Sequence, residues 1–584
     1  MVVHIFNPET DYALASFSPY YTPPAEIIAL RRDMALAPLG WASEGDAILL
    51  LDEPAQDPGM SAPGIDILTL DDISGYLSAH PDAVIAPWGW NPMLRQRLLS
   101  AGVPVSYLPS DCRLEMIRRL SHRFTSVEFN TILNIRLSAN GLDTRHCSPL
   151  PELFSDAESL AEWEKQHHPA FLKAPWSSSG RGIMFTDGLD TTRHILPWAS
   201  GIIRRQGGVI AETAADKTLD FATEWRISEI SGTPEAEFLG VSVFEASKRG
   251  KYHANTDAVQ SRLMRIIKCC APDFGEDFIR SQKEALEQLI ASHCCDGESS
   301  GCYSGYVGID MLAEPDGTIR GGIELNFRRT MGIPGPEVCI IGGGNVGSHL
   351  FRAFTQAHID CTAVSGRSRV FPRASVYIVC VSDSQVEHVC SRIRPPEGAI
   401  VAHTSGSVGM EAVKRALGEH DGGYGVFYPL QTVTKDVPMD YSSIPFLIEG
   451  SDPETLRALK KLATVISSNV AEADSEVRAR YHVAAVLTCN FTNHLCTLAD
   501  EYLRSEGLDF RMLLPLMGQT VEKLHDGNPA RLQTGPAARG DMEVINSHLR
   551  RLGEESHTAR IYRILTESII RHISQSSENE QISN

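Results

Sequence analysis

A chain of 584 residues exceeds what one hydrophobic core serves, and about 150 residues per domain gives three to five domains. Its 42% hydrophobic and 22% charged residues describe a globular protein with ample core, and a net charge of −20 excludes a general nucleic-acid binder, which sets Lys and Arg against phosphates. The 13 cysteines include no Cys-x-x-Cys pair, and vicinal Cys269-Cys270 and Cys294-Cys295 suit ordinary disulfides poorly, so they read as reduced thiols of a cytoplasmic protein. The start MVVHIFNPETDY has no cationic lead and its apolar run breaks at Asn7-Pro8, so neither a signal peptide nor a membrane span is expected.

Residues 1–115 alternate strand and helix patterns, with strands expected at Val2–Phe6, Ala47–Leu51, Ala83–Ala86 and Val103–Leu108. The loops Asn7–Asp11 and Pro87–Trp90 follow strand ends, where α/β layers place ligands. Trp88 and Trp90 are expected to pack rather than bind.

Residues 116–332 carry a second set of signals. A strand Phe171–Lys173 ends in a lysine and runs into WSSSGRG, a small-residue loop able to wrap phosphate with backbone N–H groups. No GxxxxGK[ST] occurs, so this is not a Walker A site. Strands follow at Val209–Glu212, Phe221–Ile227 and Phe238–Phe244, then a helix near Phe278–His293. GYVGIDML, a turn at Glu314–Gly317 and TIRGGIELNFRR then form a hairpin. Side chains alternate faces with period two, so pairing of odd with odd positions puts Asp310, Glu324 and Asn326 on one face. Three oxygen-bearing groups there suit Mg²⁺, although a solvated polar face gives the same pattern.

Lys173, the Ser/Gly loop with Ser179, Gly180 and Gly182, Glu212, and the Asp310, Glu324, Asn326 triplet together resemble the ATP-grasp superfamily over residues 1–332. The resemblance implies a pre-ATP-grasp α/β domain followed by an ATP-grasp domain. It also implies a phosphate-binding Lys173, a loop closing over ATP, a ribose-holding Glu212 and Mg²⁺ on the triplet. One departure is that residues 113–160 contain no lysine where the family supplies an earlier one, leaving Arg118, Arg119 or Arg123 to substitute. The implied chemistry is activation of a carboxylate by ATP and attack by an amine on the acyl phosphate. Arg328, beside Arg329 and just past the metal pair, is the candidate to grip the carboxylate or acyl phosphate.

A joint, Ile333-Pro334-Gly335-Pro336, leads into EVCIIGGGNVGSHL. Gly342, Gly344 and Gly347 spell GxGxxG between a short strand and a helix that begins near Asn345 and Val346, which points to a dinucleotide-binding module over 336–474. The second strand, Cys361–Ser365, ends in Ser-Gly-Arg-Ser rather than an acid, so Arg367 favours a 2′-phosphate and NADP(H). Strands are expected at Val376–Val381 and Ala399–His403. Only residues 366–375 separate Ser365 from Val376, too few for another helix, so the module is trimmed. Residues 475–574 read as helical, with helices over Ser475–Leu498 and Ala499–Leu514, an end or kink at Pro515 and a last helix over 541–573. The tail 575–584 reads as disordered.

AHTSGS (402–407), VFYPLQT (426–432), YHVAAVLTCN (481–490) and TGPAARGD (534–541) resemble the Rossmann-like proteins carrying domain of unknown function 2520, relatives of NADP-dependent pyrroline-carboxylate and ketopantoate reductases. The resemblance implies a reductase-like architecture that dimerises through the helical part. His403, Ser405, His482 and Asn490 are the polar groups expected at the nicotinamide side. His482 and Asn490 lie eight residues apart, about 80° around a helix, and a histidine can protonate a reduced carbonyl or imine.

The fold class expected is therefore a multidomain α/β protein ending in an all-α domain. The function expected is an ATP- and Mg²⁺-dependent carboxylate–amine ligase fused to an NADP-dependent reductase. Two alternatives stand beside it: a ligase with a non-catalytic Rossmann module for nucleotide sensing or dimerisation, and a non-enzymatic nucleotide-binding protein.

Overall fold

The computed structural model describes every residue except 43–44, 54–64, 148–149, 178–181, 189–190, 248–251, 296–300, 369–370, 435–436, 438 and 584. It divides into two units, Met1–Arg478 and Ala479–Asn584.

The first unit begins with a parallel sheet of β1 (Val2–Ile5), β2 (Ala47–Leu49), β3 (Asp66–Leu68) and β4 (Val84–Pro87), in the order β3-β2-β1-β4. Val103–Leu108 is not a strand. Pro104 leads instead into a short 3₁₀ turn at Val105–Tyr107, because proline has no N–H to give a sheet and β4 remains an edge. Trp88 is buried, edge-on to Phe6 at 5.1 Å, as the packing expectation required.

Two antiparallel sheets follow. The smaller has the order β5-β8-β6-β7, from β5 (Glu152–Phe154), β6 (Ala170–Lys173), β7 (Ile183–Thr186) and β8 (Val209–Thr213). The larger has the order β11-β10-β9-β12-β13, from β9 (Leu219–Ile230), β10 (Thr233–Ala246), β11 (Tyr252–Asn255), β12 (Gly305–Ala313) and β13 (Ile319–Asn326). One face of the larger sheet is closed by the helix Glu276–Ala291, whose Phe278, Leu286, Leu289 and Ile290 join Phe221, Trp225 and Val307 in the largest core. A charged and polar opposite face remains for a site.

Four of the cysteines are not thiols: Cys112 pairs with Cys295 and Cys294 with Cys302, correcting the reduced reading of Cys294-Cys295. Vicinal cysteines pair badly with each other, yet here each faces a cysteine on a different neighbouring segment. Cys269 and Cys270 are free.

The third part of the unit is a seven-stranded sheet, in the order β15-β14-β16-β17-β18-β19-β20. Its strands are β14 (Val338–Ile341), β15 (Cys361–Val364), β16 (Val376–Val379), β17 (Ile400–His403), β18 (Gly423–Pro429), β19 (Phe446–Gly450) and β20 (Val470–Glu472). All neighbours are parallel except β18 and β19. β14 is buried along its whole length, the signature of a strand covered on both faces. The chain crosses from β15 past β14 to β16 with no intervening helix among the described residues, which makes β14 the switch point of the sheet.

The joint packs tightly: a Cβ on Gly335 would lie 1.7 Å from the Arg373 carbonyl oxygen. Around it, Val259 N–H donates to Glu397 O at 2.9 Å, Arg373 pairs with Asp257 at 2.9 Å, and Arg262 pairs with Asp421 at 3.1 Å. Arg373, Glu397 and Asp421 precede β16, β17 and β18. The antiparallel module therefore docks on the amino-terminal edge of the parallel sheet, and the glycine turn after β14 sits at the opposite edge.

The second unit is helical. Helix Ser475–Ala485, which enters it from the first unit, continues through a π-helical stretch Val486–Asn490 into Phe491–Ser505. The break expected near Leu498 is thus absent. Pro515 opens rather than ends a helix, Leu514–Asp526, because its missing N–H is surplus in a first turn. The last helix runs His557–Ser583 where disorder was expected. No Gly or Pro follows Gly553, so nothing in the sequence stops its propagation. No helix among the described residues is long and apolar enough to cross a membrane.

Candidate functional site

The β12–β13 hairpin pairs Gly308 with Asn326, Ile309 with Leu325 and Asp310 with Glu324. Odd thus meets odd, and Asp310, Glu324 and Asn326 share the face turned away from the core. The loop residue Arg123, buried among them, donates to both Glu324 carboxylate oxygens at 3.0 and 3.2 Å. The same guanidinium donates to Ala174 O at 2.8 Å and Ser177 Oγ at 2.5 Å, so one cation ties Glu324 to the start of the small-residue loop. Of the three arginines considered in place of a lysine, this is the one that reaches. Arg118 lies over the Phe17 and Trp176 rings, and Arg119 is exposed.

Lys173, at the end of β6, forms an ion pair with Glu212 on the adjacent β8. Glu212 stands just before the segment that crosses from the smaller sheet to the larger. Gly182 closes the loop after β6: its φ is +72°, and its carbonyl accepts from Ala174 N–H at 2.8 Å. Ser179 and Gly180 lie outside the described residues.

Arg328 is held by Asp11 at 2.9 Å and Asn326 Oδ1 at 3.0 Å, joining the first sheet's loop to the end of β13. The sequence reading did not single out Asp11. It also missed Glu224, which stands on β9 opposite Gly308 on the same face and is 1% exposed. Burial pushes the Glu224 carboxyl up to about 7, against hydroxyl donation from Thr330 and Ser242. Burial, with Glu324 and Glu224 as like-charged neighbours, also raises Asp310. Acids gathered on a buried face without full compensation suit a cation. Among the described residues no group of three or more His, Cys, Asp or Glu side chains is arranged to hold a metal by itself. Two carboxylates and phosphate oxygens are the donor set Mg²⁺ commonly takes.

At the dinucleotide turn the glycines divide into two kinds. A Cβ on Gly342 would lie 2.3 Å from Cys380 O, and one on Gly347 only 1.9 Å from Gly342 O, so both are needed by the fold. A Cβ on Gly343 or Gly344 would meet nothing within 4 Å, which leaves open space at the N-terminus of helix Asn345–Gln356. Open space before a helix N-terminus is the kind of place that could hold a pyrophosphate. Asn345 Nδ2 donates to Val433 O at 2.9 Å, Val346 is half-buried, and Arg367 is exposed just beyond β15.

His403 ends β17 but is buried. Burial, with Arg478 nearby, pushes it down to about 4, and its Nδ1 accepts from Ser405 N–H at 3.1 Å. Near neutral pH it is an uncharged structural acceptor, which counts against the proton-donating role its position suggested. Ser405 Oγ accepts from Ser407 and Val408 N–H and so caps its own turn. In the second unit His482 is half-buried on the first helix and Asn490 exposed at the end of the π stretch, whose wider turn changes the 80° offset reckoned on a regular helix. The folded pKa of His403 lies below its ordinary 6.5, so its contribution to stability is full above pH 6.5 and is lost as pH falls towards 4. At that depth of shift the loss reaches about 3 kcal/mol. Urea unfolding at pH 7 and pH 4.5 of the wild type and His403→Gln measures it, and the variant should show the smaller drop.

The fold and site define a multidomain α/β protein of enzyme-like architecture, in which a module of two antiparallel sheets is followed by a mostly parallel, Rossmann-like sheet. Residues 444–569 match the domain of unknown function DUF2520. A Bacteroides fragilis protein described only by assignment as an NADP oxidoreductase is 36% identical to the chain, with 40% of this chain and 98% of that one covered and a TM-score of 0.37. On that identity over nearly all of that protein, the part of this chain that it covers belongs to the same family. A reductive aminase from Aspergillus terreus, solved with NADPH and ethyl levulinate, is 14% identical over 41% of this chain and 94% of that one, with a TM-score of 0.32. N5-carboxyaminoimidazole ribonucleotide synthetase, solved as an ADP complex, is 14% identical over 56% and 70%, with a TM-score of 0.30. Neither of these two adds to the fold assignment, which rests on the sheets themselves. No curated protein matches the chain.

Proposed function

We propose that the chain is a bifunctional small-molecule enzyme, an ATP- and Mg²⁺-dependent carboxylate–amine ligase fused to an NADP(H)-dependent reductase. The observation that carries the ligase half is Arg123, which binds Glu324 and the loop after β6 together. It supports a site in which Lys173 and Arg123 face ATP phosphates, and Asp310, Glu324 and Asn326 hold Mg²⁺. When bound, the metal neutralises phosphate charge. Arg328 stands beside that triplet to orient the carboxylate being activated. The test is ADP release from ATP, screened against pools of carboxylates and amines, with and without NADPH. Release that needs both a carboxylate and an amine supports the ligase, and binding of ATP without turnover in any pool supports a nucleotide-binding protein instead.

The burial of His403 favours a second reading of the C-terminal half, a module that binds NADP(H) without reducing anything. In either case Arg367 meets the 2′-phosphate. Arg367→Ala is expected to weaken NADPH by about tenfold and leave NADH unchanged, because a charge-assisted bond contributes roughly 1.5–3 kcal/mol. Fluorescence titration of both cofactors decides, and tighter NADH binding by the wild type would sink the assignment.

A homodimer through the helical unit belongs to the same proposal. Among the described residues of 479–584, only Leu498, Ile545 and Ala559 are buried hydrophobics. Meanwhile Leu487, Phe491 and Leu495 recur at four-residue spacing with exposures of 57, 55 and 39%. A second copy of the same face would complete the missing core. Light scattering of the full chain should give twice the monomer mass, and Phe491→Glu should return it to monomer.

A further inference from the structure

The buried guanidinium of Arg123 is incompletely used. Its Nη1 donates to Ala174 O at 2.8 Å and Ser177 Oγ at 2.5 Å, and its Nη2 to Ser177 O at 3.1 Å, which fixes it to the start of the loop after β6. Nη2 also donates to Glu324 Oε1 at 3.0 Å and Oε2 at 3.2 Å. Nε is buried and has no hydrogen-bond partner among the described residues. Nε–H and the neighbouring Nη2–H form one fork of a guanidinium, the edge that carboxylates and phosphates grip with two oxygens. Glu324 does not span that fork. Both its oxygens take Nη2, and the Nε donor is left bare. A buried donor without an acceptor is costly, so this pair is weaker than one that the same guanidinium could make with an anion across the whole fork. The acceptors of the metal triplet are engaged too. Glu324 holds Arg123, and Asn326 Oδ1 accepts from Arg328 Nη2 at 3.0 Å. A divalent cation and a guanidinium on one carboxylate repel each other strongly in a buried site, so Glu324 serves one or the other.

We propose that Arg123 is an exchangeable counter-ion: it neutralises Glu324 while the site is unloaded, and it turns its Nε/Nη2 fork to a phosphate of the nucleotide when Glu324 takes the metal. This rests on the ligase reading and adds a rule of loading to it, that metal and nucleotide enter together. The exchange needs only a small motion. Ala174 and Ser177 keep the guanidinium beside the loop able to wrap phosphate, and the Glu324 contact alone is given up. Charge stays matched throughout, because Glu324 exchanges a guanidinium for a metal and Arg123 exchanges a carboxylate for a phosphate. Lys173 has no part in this lock, since its acid is Glu212 on the smaller sheet.

The experiment uses the full chain, with Mn²⁺ binding read by electron paramagnetic resonance and binding of AMP-PNP with Mg²⁺ read by calorimetry. Without nucleotide, Arg123→Met should bind Mn²⁺ about tenfold more tightly than the wild type, because Glu324 is left without its cation. Adding Glu324→Gln to that variant should remove the gain. Arg123→Lys keeps the charge and loses the fork, so its Mn²⁺ binding should stay at the wild-type level while AMP-PNP weakens by about tenfold. Lys173→Met should weaken AMP-PNP without raising Mn²⁺ binding. Arg123→Gln, neutral but still a donor, gives the same comparison if the methionine variant does not fold. Equal Mn²⁺ binding in the wild type and the neutral Arg123 variants, a gain that survives Glu324→Gln, an equal gain in Lys173→Met, or unchanged AMP-PNP affinity in Arg123→Lys would each overturn the proposal. AMP-PNP binding by the wild type with no Mn²⁺ gain in Arg123→Met refutes the exchange alone. A Mn²⁺ gain in a protein whose wild type binds no AMP-PNP refutes the ligase reading and leaves Arg123 as the counter-ion of a metal site.

Discussion

Glu324→Gln should lower ATP turnover by about a hundredfold or more while leaving the fold intact. Glu324 lies directly across the hairpin from Asp310 and accepts through both carboxylate oxygens from one Arg123 nitrogen, which also donates to Ser177 O at 3.1 Å. Glutamine keeps the shape but removes the charge, so a metal at this face loses one of two carboxylates. The amide also presents an NH₂ group where Arg123 needs an acceptor, and that loosens the link from the hairpin to Ser177. The side chain is 22% exposed, so water can take up part of the loss and the melting temperature should fall by only a few degrees. AMP-PNP should still bind through Lys173. Turnover is read by single-turnover ADP release. A variant as active as the wild type would return the hairpin to an ordinary sheet with a solvated polar face.

What could be read from sequence alone follows from where the information resides. The face shared by Asp310, Glu324 and Asn326 was legible because hairpin parity is local and the turn Glu314–Gly317 sets the register. The dinucleotide turn was legible because three glycines, a buried strand and a helix start fall within a few residues. Arg123 could be narrowed only to one of three arginines, because its partners Ser177 and Glu324 lie 54 and 201 residues away. Glu224 was passed over as one polar position in a strand. The available signal was a charged residue in the middle of a 12-residue strand that is buried on both sides of it. Val103–Leu108 has the composition of a strand and no partner, and pairing is not written into a single segment. The disulfides follow from tertiary neighbours of Cys294 and Cys295, which spacing does not specify. His403 sits where a cofactor-edge residue belongs, but its burial is set by the packing around β17.

The glycine turn allows a pair of substitutions that separate folding from binding. Gly347→Ala places a methyl 1.9 Å from Gly342 O and 3.2 Å from the Cys380 side chain. The turn cannot retreat, because Gly342 N–H is bonded to Val364 O at 2.8 Å and Cys380 N–H to Ile341 O at 2.7 Å. The helix Asn345–Gln356 must instead move off the sheet, carrying away the N–H groups that would meet a pyrophosphate. Overpacking of this kind costs roughly 1–3 kcal/mol or more, so both the melting temperature and NADPH binding should fall. Gly344→Ala is the contrasting case. Its φ of −73° is ordinary for any residue, and its Cβ meets nothing within 4 Å. The protein should therefore fold with an unchanged melting temperature. The added methyl would occupy the space a pyrophosphate needs, and NADPH affinity should drop by about a hundredfold, since close backbone approach is what a glycine provides there. Calorimetric titration of both variants with NADPH, alongside thermal melts, separates the two effects. Wild-type affinity in Gly344→Ala would place the pyrophosphate away from this turn and remove the ground for a dinucleotide site at the end of β14.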